Sequence, residues 1–286
     1  MSDLVRIVDL EGTAGAPFVL ALAGWGDASG VASGAARRLA AEGNLVAEVD
    51  SDRVFDFRSN RPVLHFSEGN LDEVVWPSFE IVRADVGGQT VLVGSGSEPD
   101  FRWQRLTAEL VDLGRRIGVS KLVTLGAVPA PVPHTRPVRV VCTVSDDGLL
   151  APGDEVLHNE LVVPAAAVSI IRAGFADAGI PAVGYWAQVP HYVNEPYHAG
   201  ELALLEHLSR QLGIDVPVGT VAEEAAAQRE ELDRIVAGRE DARAYVAKLE
   251  SAVDAQTPPP SFESLPTADE LVDEIERFLR DSTGEQ

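Results

Sequence analysis

The sequence predicts an α/β fold: a mostly parallel sheet covered by helices on both faces, followed by a helical C-terminal extension. Three observations carry this. The run Phe18-Val19-Leu20-Ala21-Leu22-Ala23 is continuously apolar, the pattern of a strand buried on both faces. Gly24-Trp25-Gly26-Asp27 closes it, and an alanine-rich stretch from Val31 to Glu42 follows, so strand, tight turn and helix come in immediate succession. The same alternation of short apolar runs with longer amphipathic segments continues down the chain, and parallel strands require such crossovers.

Composition sets the bounds. A chain of 286 residues with 45% hydrophobic content buries a sizeable core, so one large domain plus a tail is the simplest division. The balance of 23 basic against 45 acidic residues, a net charge of −22, repels phosphate and anionic lipid and argues against a nucleic-acid partner. Cys142 is the single cysteine, which excludes an intrachain disulfide and fits a reducing compartment. The opening Met1-Ser2-Asp3-Leu4-Val5-Arg6 has no basic or apolar signal pattern, and no run reaches the ~20 apolar residues of a membrane helix. The expectation is a cytoplasmic protein with no membrane partner.

Taken in order, Leu4 to Leu10 alternates at a strand period before a turn over residues 11–16. Asp27 stands where a helix N-cap belongs, ahead of a helix over Ser29 to Glu42 that stops at Gly43-Asn44. Leu45 to Val49 completes a strand-helix-strand unit. Strand-like runs follow at Pro62 to Phe66, Ser78 to Val86 and Thr90 to Val93, with a two-residue hairpin turn at Gly87-Gly88. Trp103, Leu106, Leu110, Leu113 and Ile117 recur at helical spacing. Strands are then expected at Lys121 to Leu125, Val138 to Val144 and Pro181 to Val189, and helices at Pro164 to Ala178 and Ala199 to Leu212. The proline-rich stretch from Ala130 to Pro137 cannot be helical.

The domain boundaries read as a core over 1–215, a helical extension over 216–256, a Pro-rich linker over 257–266 and a terminal amphipathic helix and tail over 267–286. Thr220-Val221-Ala222-Glu223 and Thr267-Ala268-Asp269-Glu270 both have capping-box spacing. Gly238 is positioned to split the extension in two, and Leu271, Val272, Ile275, Phe278 and Leu279 form a stripe expected to be buried.

Gly24-Trp25-Gly26-Asp27-Ala28-Ser29 approximates the glycine pattern of a dinucleotide fold, with Asp50 where a ribose-binding acid would lie. Trp25 is too bulky for close approach of a diphosphate, and Asp27 places a negative charge at the helix N-terminus that a diphosphate would need. Gly94-Ser95-Gly96 lacks its third glycine, and Glu98 and Asp100 make a poor phosphate cradle unless Arg102 turns inward. The well-defined hydrolase, P-loop and metal-binding motifs are absent, so no cofactor or metal is expected. What remains is polar residues at the ends of several strands, where an open α/β sheet gathers its ligand crevice. The candidates are Gly24, Trp25, Asp27, Gly94, Ser95, Glu98, Asp100, His134, Arg136, His191 and Tyr192. His134 with Arg136 would hold an anion and His191 would move a proton. The plainer reading, which weighs more, ties His134 and Arg136 to acidic neighbours and packs His191 and Tyr192.

Several separated motifs then point to a family. Gly24-Trp25-Gly26-Asp27-Ala28, Leu92 to Asp100, Thr124-Leu125-Gly126-Ala127-Val128-Pro129, Pro133-His134-Thr135-Arg136-Pro137, Gly179-Ile180-Pro181 and Trp186 to Val193 resemble, in this order, the proteasome assembly chaperone 2 family, particularly its bacterial branch. The resemblance covers about residues 4 to 250. It implies an α/β/α sandwich similar in topology to nucleoside phosphorylases and hydrolases, a homo-oligomer that is a trimer, proteasome-related or other protein partners, and no established enzymatic activity. Two departures stand out. Residues 158–164 replace a glycine-rich turn, and the chain ends Thr283-Gly284-Glu285-Gln286 where assembly factors that dock on the proteasome ring carry hydrophobic-Tyr-any residue. Two functions are therefore expected to compete: a non-catalytic assembly protein, and a nucleoside-type hydrolase, phosphorylase or binder working in the strand-end crevice.

Overall fold

A computed structural model describes residues 3–157, 160–194 and 196–255. The elements in order are β1 (Val5–Ile7), β2 (Phe18–Ala23), α1 (Val31–Ala40), β3 (Asn44–Val49), α2 (Ser51–Val54), β4 (Val63–Ser67), β5 (Asn70–Val75), β6 (Phe79–Val86) and β7 (Gln89–Ser97). They continue with α3 (Trp103–Ile117), β8 (Leu122–Ala130), β9 (Val140–Val144), β10 (Glu155–Val156), α4 (Ala167–Asp177), β11 (Ala182–Pro190), α5 (His198–Leu212), α6 (Val221–Ala237) and α7 (Glu240–Ala255).

Nine strands form one sheet in the order β1-β3-β6-β7-β2-β8-β11-β9-β10, and β4 and β5 form a separate two-stranded ribbon. The neighbours β7, β2, β8 and β11 are all parallel. Antiparallel pairings flank this block at β1/β3, β3/β6, β6/β7 and β11/β9. The sheet is thus mixed, with its parallel strands at the centre and antiparallel pairings on either side. Helix α1 carries the chain from β2 to β3 across the two positions that β6 and β7 later fill. That gap closes through the hairpin at Gly87-Gly88, where Val86 pairs with Gln89 and both glycines have positive φ, 58° and 78°. Positive φ at both turn positions matches the right-handed strand twist and explains the glycine pair.

Side chains of β2 alternate between two cores. Val19 and Ala21 pack with Val31, Ala32, Ala35 and Ala36 of α1 and Leu204, Leu205 and Leu208 of α5. Phe18, Leu20 and Leu22 pack with Leu106 and Leu110 of α3 and Ile171 and Phe175 of α4. Two helices on each face make the three layers, and they explain the unbroken apolar character of β2. Phe175 is fully buried, its ring 6.2 Å from that of Phe18.

Some local expectations are corrected. Strand β8 runs on through Gly126 and Pro129 to Ala130, because β11 pairs with it along that whole length. The short helix α2 and strands β5 and β10 have no clear apolar period and show only in the folded chain. Gly94, Ser95 and Gly96 lie inside β7 and not in a turn. At Gly96 φ is 137° and a Cβ would fall 2.0 Å from the Ser78 carbonyl oxygen, so the glycine there serves strand pairing. At α6, Thr220 makes no capping hydrogen bond to the helix backbone, and its hydroxyl instead donates to Glu224 at 2.7 Å. The extension does break at Gly238, between α6 and α7. The linker over 257–266 and the terminal stripe lie outside the described residues.

Candidate functional site

Because β7, β2, β8 and β11 are parallel neighbours, the segments that follow them meet on one rim. These segments bring Trp25 and Asp27 after β2, Glu98 and Asp100 after β7, His134 and Arg136 after β8, and His191 and Tyr192 after β11. The rim divides into two groups with different hydrogen-bond partners.

In the first group the carboxylates serve backbone. Glu98 accepts from the Trp25 N–H at 2.9 Å and from the Ala167 N–H, the first residue of α4, at 2.6 Å. One side chain thereby joins the β2 turn to a helix N-terminus, where an anion is favoured by the dipole and by unpaired N–H groups. The close approach dictates Gly24, since a Cβ there would lie 2.5 Å from the Glu98 side chain. Asp27 Oδ1 accepts from Ala32 and Ser33 N–H at 2.7 and 3.1 Å, the second and third residues of α1. It caps the helix as the sequence suggests, but from one turn away: Ala28–Gly30 form a 3-10 turn, and the Ser29 hydroxyl donates to the Val193 carbonyl at 2.5 Å. Asp100 accepts from Asp56 N–H at 2.8 Å and Asn60 Nδ2 at 2.9 Å, holding the segment after α2. Gly94 and Ser95 sit within the sheet, paired with Leu20 and Ala21, and the Trp25 side chain is 66% exposed.

The second group lies under the helical extension. His134 is 3% exposed. The Tyr192 hydroxyl accepts from the His134 N–H at 2.7 Å and lies 2.6 Å from Nδ1. The Asp233 carboxylate of α6 can only accept, so Nε2 carries the ring proton and donates to its Oδ1 at 3.2 Å, which leaves Nδ1 to accept the Tyr192 hydroxyl proton. Burial lowers the His134 pKa, outweighing Asp233, and the ring is neutral. Burial likewise pushes the Tyr192 hydroxyl up to about 12. His191 follows the same logic: Nδ1 donates to the Ala130 carbonyl at 3.1 Å, and Nε2 accepts from the Tyr245 hydroxyl of α7 at 2.8 Å. Arg136 meets Asp254 with Nε and Nη2 at 2.8 and 2.7 Å and Glu250 with Nη1 at 3.1 Å, all on α7. The hydrogen bonds to Asp254 raise its pKa further. Arg229 of α6 donates to the His134 carbonyl at 3.0 Å.

Sequence reasoning placed His134, Arg136, His191 and Tyr192 at strand ends but missed Arg229, Asp233, Tyr245, Glu250 and Asp254 as their partners. By helical spacing Tyr245 falls with Leu232, Ile235, Val236, Val246 and Leu249 on the apolar side of the extension, of which Ile235 and Tyr245 are exposed, while Arg229, Asp233, Glu250 and Asp254 read as an ordinary solvated face. The extension is also tied to α1. Arg38 donates to Glu201, which is only 3% exposed, at 2.7 Å and to Glu224 of α6. Between α5, α6 and the segment 134–138 a pocket of about 440 Å³ remains, with Tyr197, Leu202, Glu206 and Gln228 in its wall. The rim carboxylates accept from backbone N–H groups, and both rim histidines use both ring nitrogens. The arrangement is therefore that of a scaffold holding turns and helices together. Among the described residues no three His, Cys, Asp or Glu side chains come together as metal ligands, and no helix is long and apolar enough to cross a membrane.

The PAC2 family model matches residues 21–236, and the architecture agrees with solved relatives. A PAC2 family protein from Streptomyces avermitilis is 33% identical, with a TM-score of 0.71, covering 80% of this chain and 98% of the other. The Mycobacterium tuberculosis proteasome-assembly chaperone homologue is 31% identical, with a TM-score of 0.72, covering 80% of this chain and 99% of the other. A Pyrococcus furiosus archaeal proteasome activator shares the fold at 14% identity and a TM-score of 0.63, covering 81% and 97%. No curated protein matches the chain significantly.

Proposed function

This chain belongs to the PAC2 family, and from that membership we propose that it is a non-catalytic, cytoplasmic homo-oligomer, a trimer, that acts by binding other proteins, with proteasome-related proteins the partner class. The observation that carries the reading is the engagement of the rim. Glu98, Asp27, His134, His191 and Arg136, the side chains best suited to chemistry, each satisfy a structural contact, and α6 and α7 supply the contacts of the last three. Family relatives include a proteasome-assembly chaperone homologue, which supports the choice of partner class.

Pull-down of the full chain with proteasome subunits tests this directly. Recovery of a subunit at defined stoichiometry is the expected result, and recovery of nothing but the protein itself defeats it. The pocket of about 440 Å³ beside His134 and Arg136 supports a second reading, a small-molecule hydrolase, phosphorylase or binder of nucleoside type. A thermal-shift panel of nucleosides, nucleotides and phosphate separates the two. A ligand at a hundred times its Kd stabilises by about 2.7 kcal/mol, and a flat panel removes the second reading.

A further inference from the structure

The two helices of the extension are held in different ways. Helix α6 is anchored in the core: Val221 belongs to the cluster that α1 and α5 form with the sheet, and Leu232 packs against it. In α7 eleven of the sixteen residues are exposed, and its two buried side chains, Val246 and Leu249, join neither of the two main cores. What ties α7 to the rim is polar: the Asp254 and Glu250 carboxylates on Arg136, the Thr135 hydroxyl donating to Glu250 at 2.5 Å, and the Tyr245 hydroxyl on His191. The Arg136 and Asp254 side chains are 33% and 56% exposed, and ion pairs in that setting contribute little each. An element with few buried apolar contacts opens locally at far lower cost than the whole fold. The helix break at Gly238 gives the joint at which α7 lifts while α6 stays.

The family model ends at residue 236, so Thr135, Arg136 and His191 lie within the matched domain and all of α7 lies beyond it. With α7 lifted, Arg136 presents a planar fork of N–H donors, the Thr135 hydroxyl a further donor, and His191 Nε2 an acceptor. Helix α7 itself shows what such a seat takes. Asp254 meets the Arg136 fork with both carboxylate oxygens, and Glu250, one helical turn earlier, accepts from both Arg136 and Thr135. Residues four apart lie on one helix face, so the seat reads a helix with carboxylates at that spacing behind an apolar pair, here Val246 and Leu249. A chain of net charge −22 repels an acidic partner at long range, but physiological salt screens that repulsion beyond about 8 Å, and the forked pairing at Arg136 acts inside it.

We propose that α7 is a displaceable strap over a docking seat, formed by Thr135, Arg136 and His191, for an acidic helix of a partner protein. This rests on the protein-binding reading above, and adds where the partner sits and what covers the seat in its absence.

The test uses the full chain. In hydrogen exchange read by mass spectrometry, α7 of the wild type is expected to exchange about a hundredfold or more faster than α5, and protection within about tenfold of that of α5 overturns the strap. The variant Glu250→Lys, Asp254→Lys takes the carboxylates away from Arg136 and is expected to leave exchange in α1 through α5 unchanged. A fluorescein-labelled peptide of residues 240–255, read by anisotropy, is expected to bind this variant at least about tenfold more tightly than the wild type, whose seat is filled from within. Adding Arg136→Ala to the variant should return binding to the wild-type level. Equal binding to variant and wild type, or binding that survives the loss of Arg136, overturns the seat. Should the variant misfold, Glu250→Gln, Asp254→Asn takes its place with the same outcomes. A failed pull-down of proteasome subunits with these results intact removes that partner class alone, and failure here with a recovered subunit removes the seat alone.

Discussion

Replacing Tyr192 with phenylalanine removes one oxygen atom and keeps the ring that packs edge-on against His134 and His191, with centroids 5.7 and 5.6 Å away. That oxygen is the partner of two groups on His134, the backbone N–H at 2.7 Å and Nδ1 at 2.6 Å. His134 is 3% exposed, so water does not readily take the vacated place. Each buried polar group left without a partner costs about 1–3 kcal/mol. Part of the loss is recovered because Asp233 still accepts from Nε2 and the turn can relax. The expected destabilisation for Tyr192→Phe is about 2–3 kcal/mol, a fall in Tm of roughly 5–10 °C for a domain of this size. Urea titration followed by tryptophan fluorescence, at equal protomer concentration for both proteins, measures it. Amide exchange at His134 should accelerate in the variant, which a general loosening of the fold would not single out. A loss below about 0.5 kcal/mol with unchanged exchange would refute the claim that this hydroxyl organises the rim.

Other expectations follow from the same contacts. Glu98→Ala strips acceptors from Trp25 and Ala167 N–H and should cost about 2 kcal/mol, while Glu98→Gln, which keeps one acceptor oxygen, should lose less; equal urea midpoints for the two variants would count against the clamp. Burial lowers the pKa of both His134 and His207, so the unfolded chain takes up protons first as pH falls. Their contribution to stability is complete above about pH 7 and is lost as pH drops below about 6.5 toward the folded-state values, at up to about 1.4 kcal/mol per pH unit for each histidine. Urea midpoints that stay flat from pH 7.5 to 5.5 would contradict this. The Cys142 thiol is buried and pushed up to about 11, first by burial and then by Asp154 and Glu155. It should resist a disulfide reagent at pH 8 until denaturant is added, and immediate labelling of the native protein would show that the β9 core opens readily.

The sequence was sufficient wherever the determining physics is local. The apolar run of β2, the glycine pair at 87 and 88, the carboxylate of Asp27 before α1 and the helical spacing from Trp103 to Ile117 each report on neighbours a few residues away. The structure keeps all four. Burial on both faces leaves so clear a mark that the three-layer plan was legible from it, and the order of separated motifs carried the family.

Tertiary structure alone decided the rest, because pairings between distant segments leave no period in the chain. It made the sheet mixed by sending β6 back antiparallel between β3 and β7, and it set Gly94 and Gly96 in a strand. It left the β4–β5 ribbon exposed, which no apolar count over residues 57–77 could show. Above all it turned Asp233, Glu250 and Asp254, acidic positions like any on a solvated helix, and Tyr245, on the apolar side of the extension, into the partners that saturate His134, His191 and Arg136. A residue type fixes which hydrogen bonds a side chain can make, and only the folded chain determines whether those bonds are left for a ligand or satisfied from within.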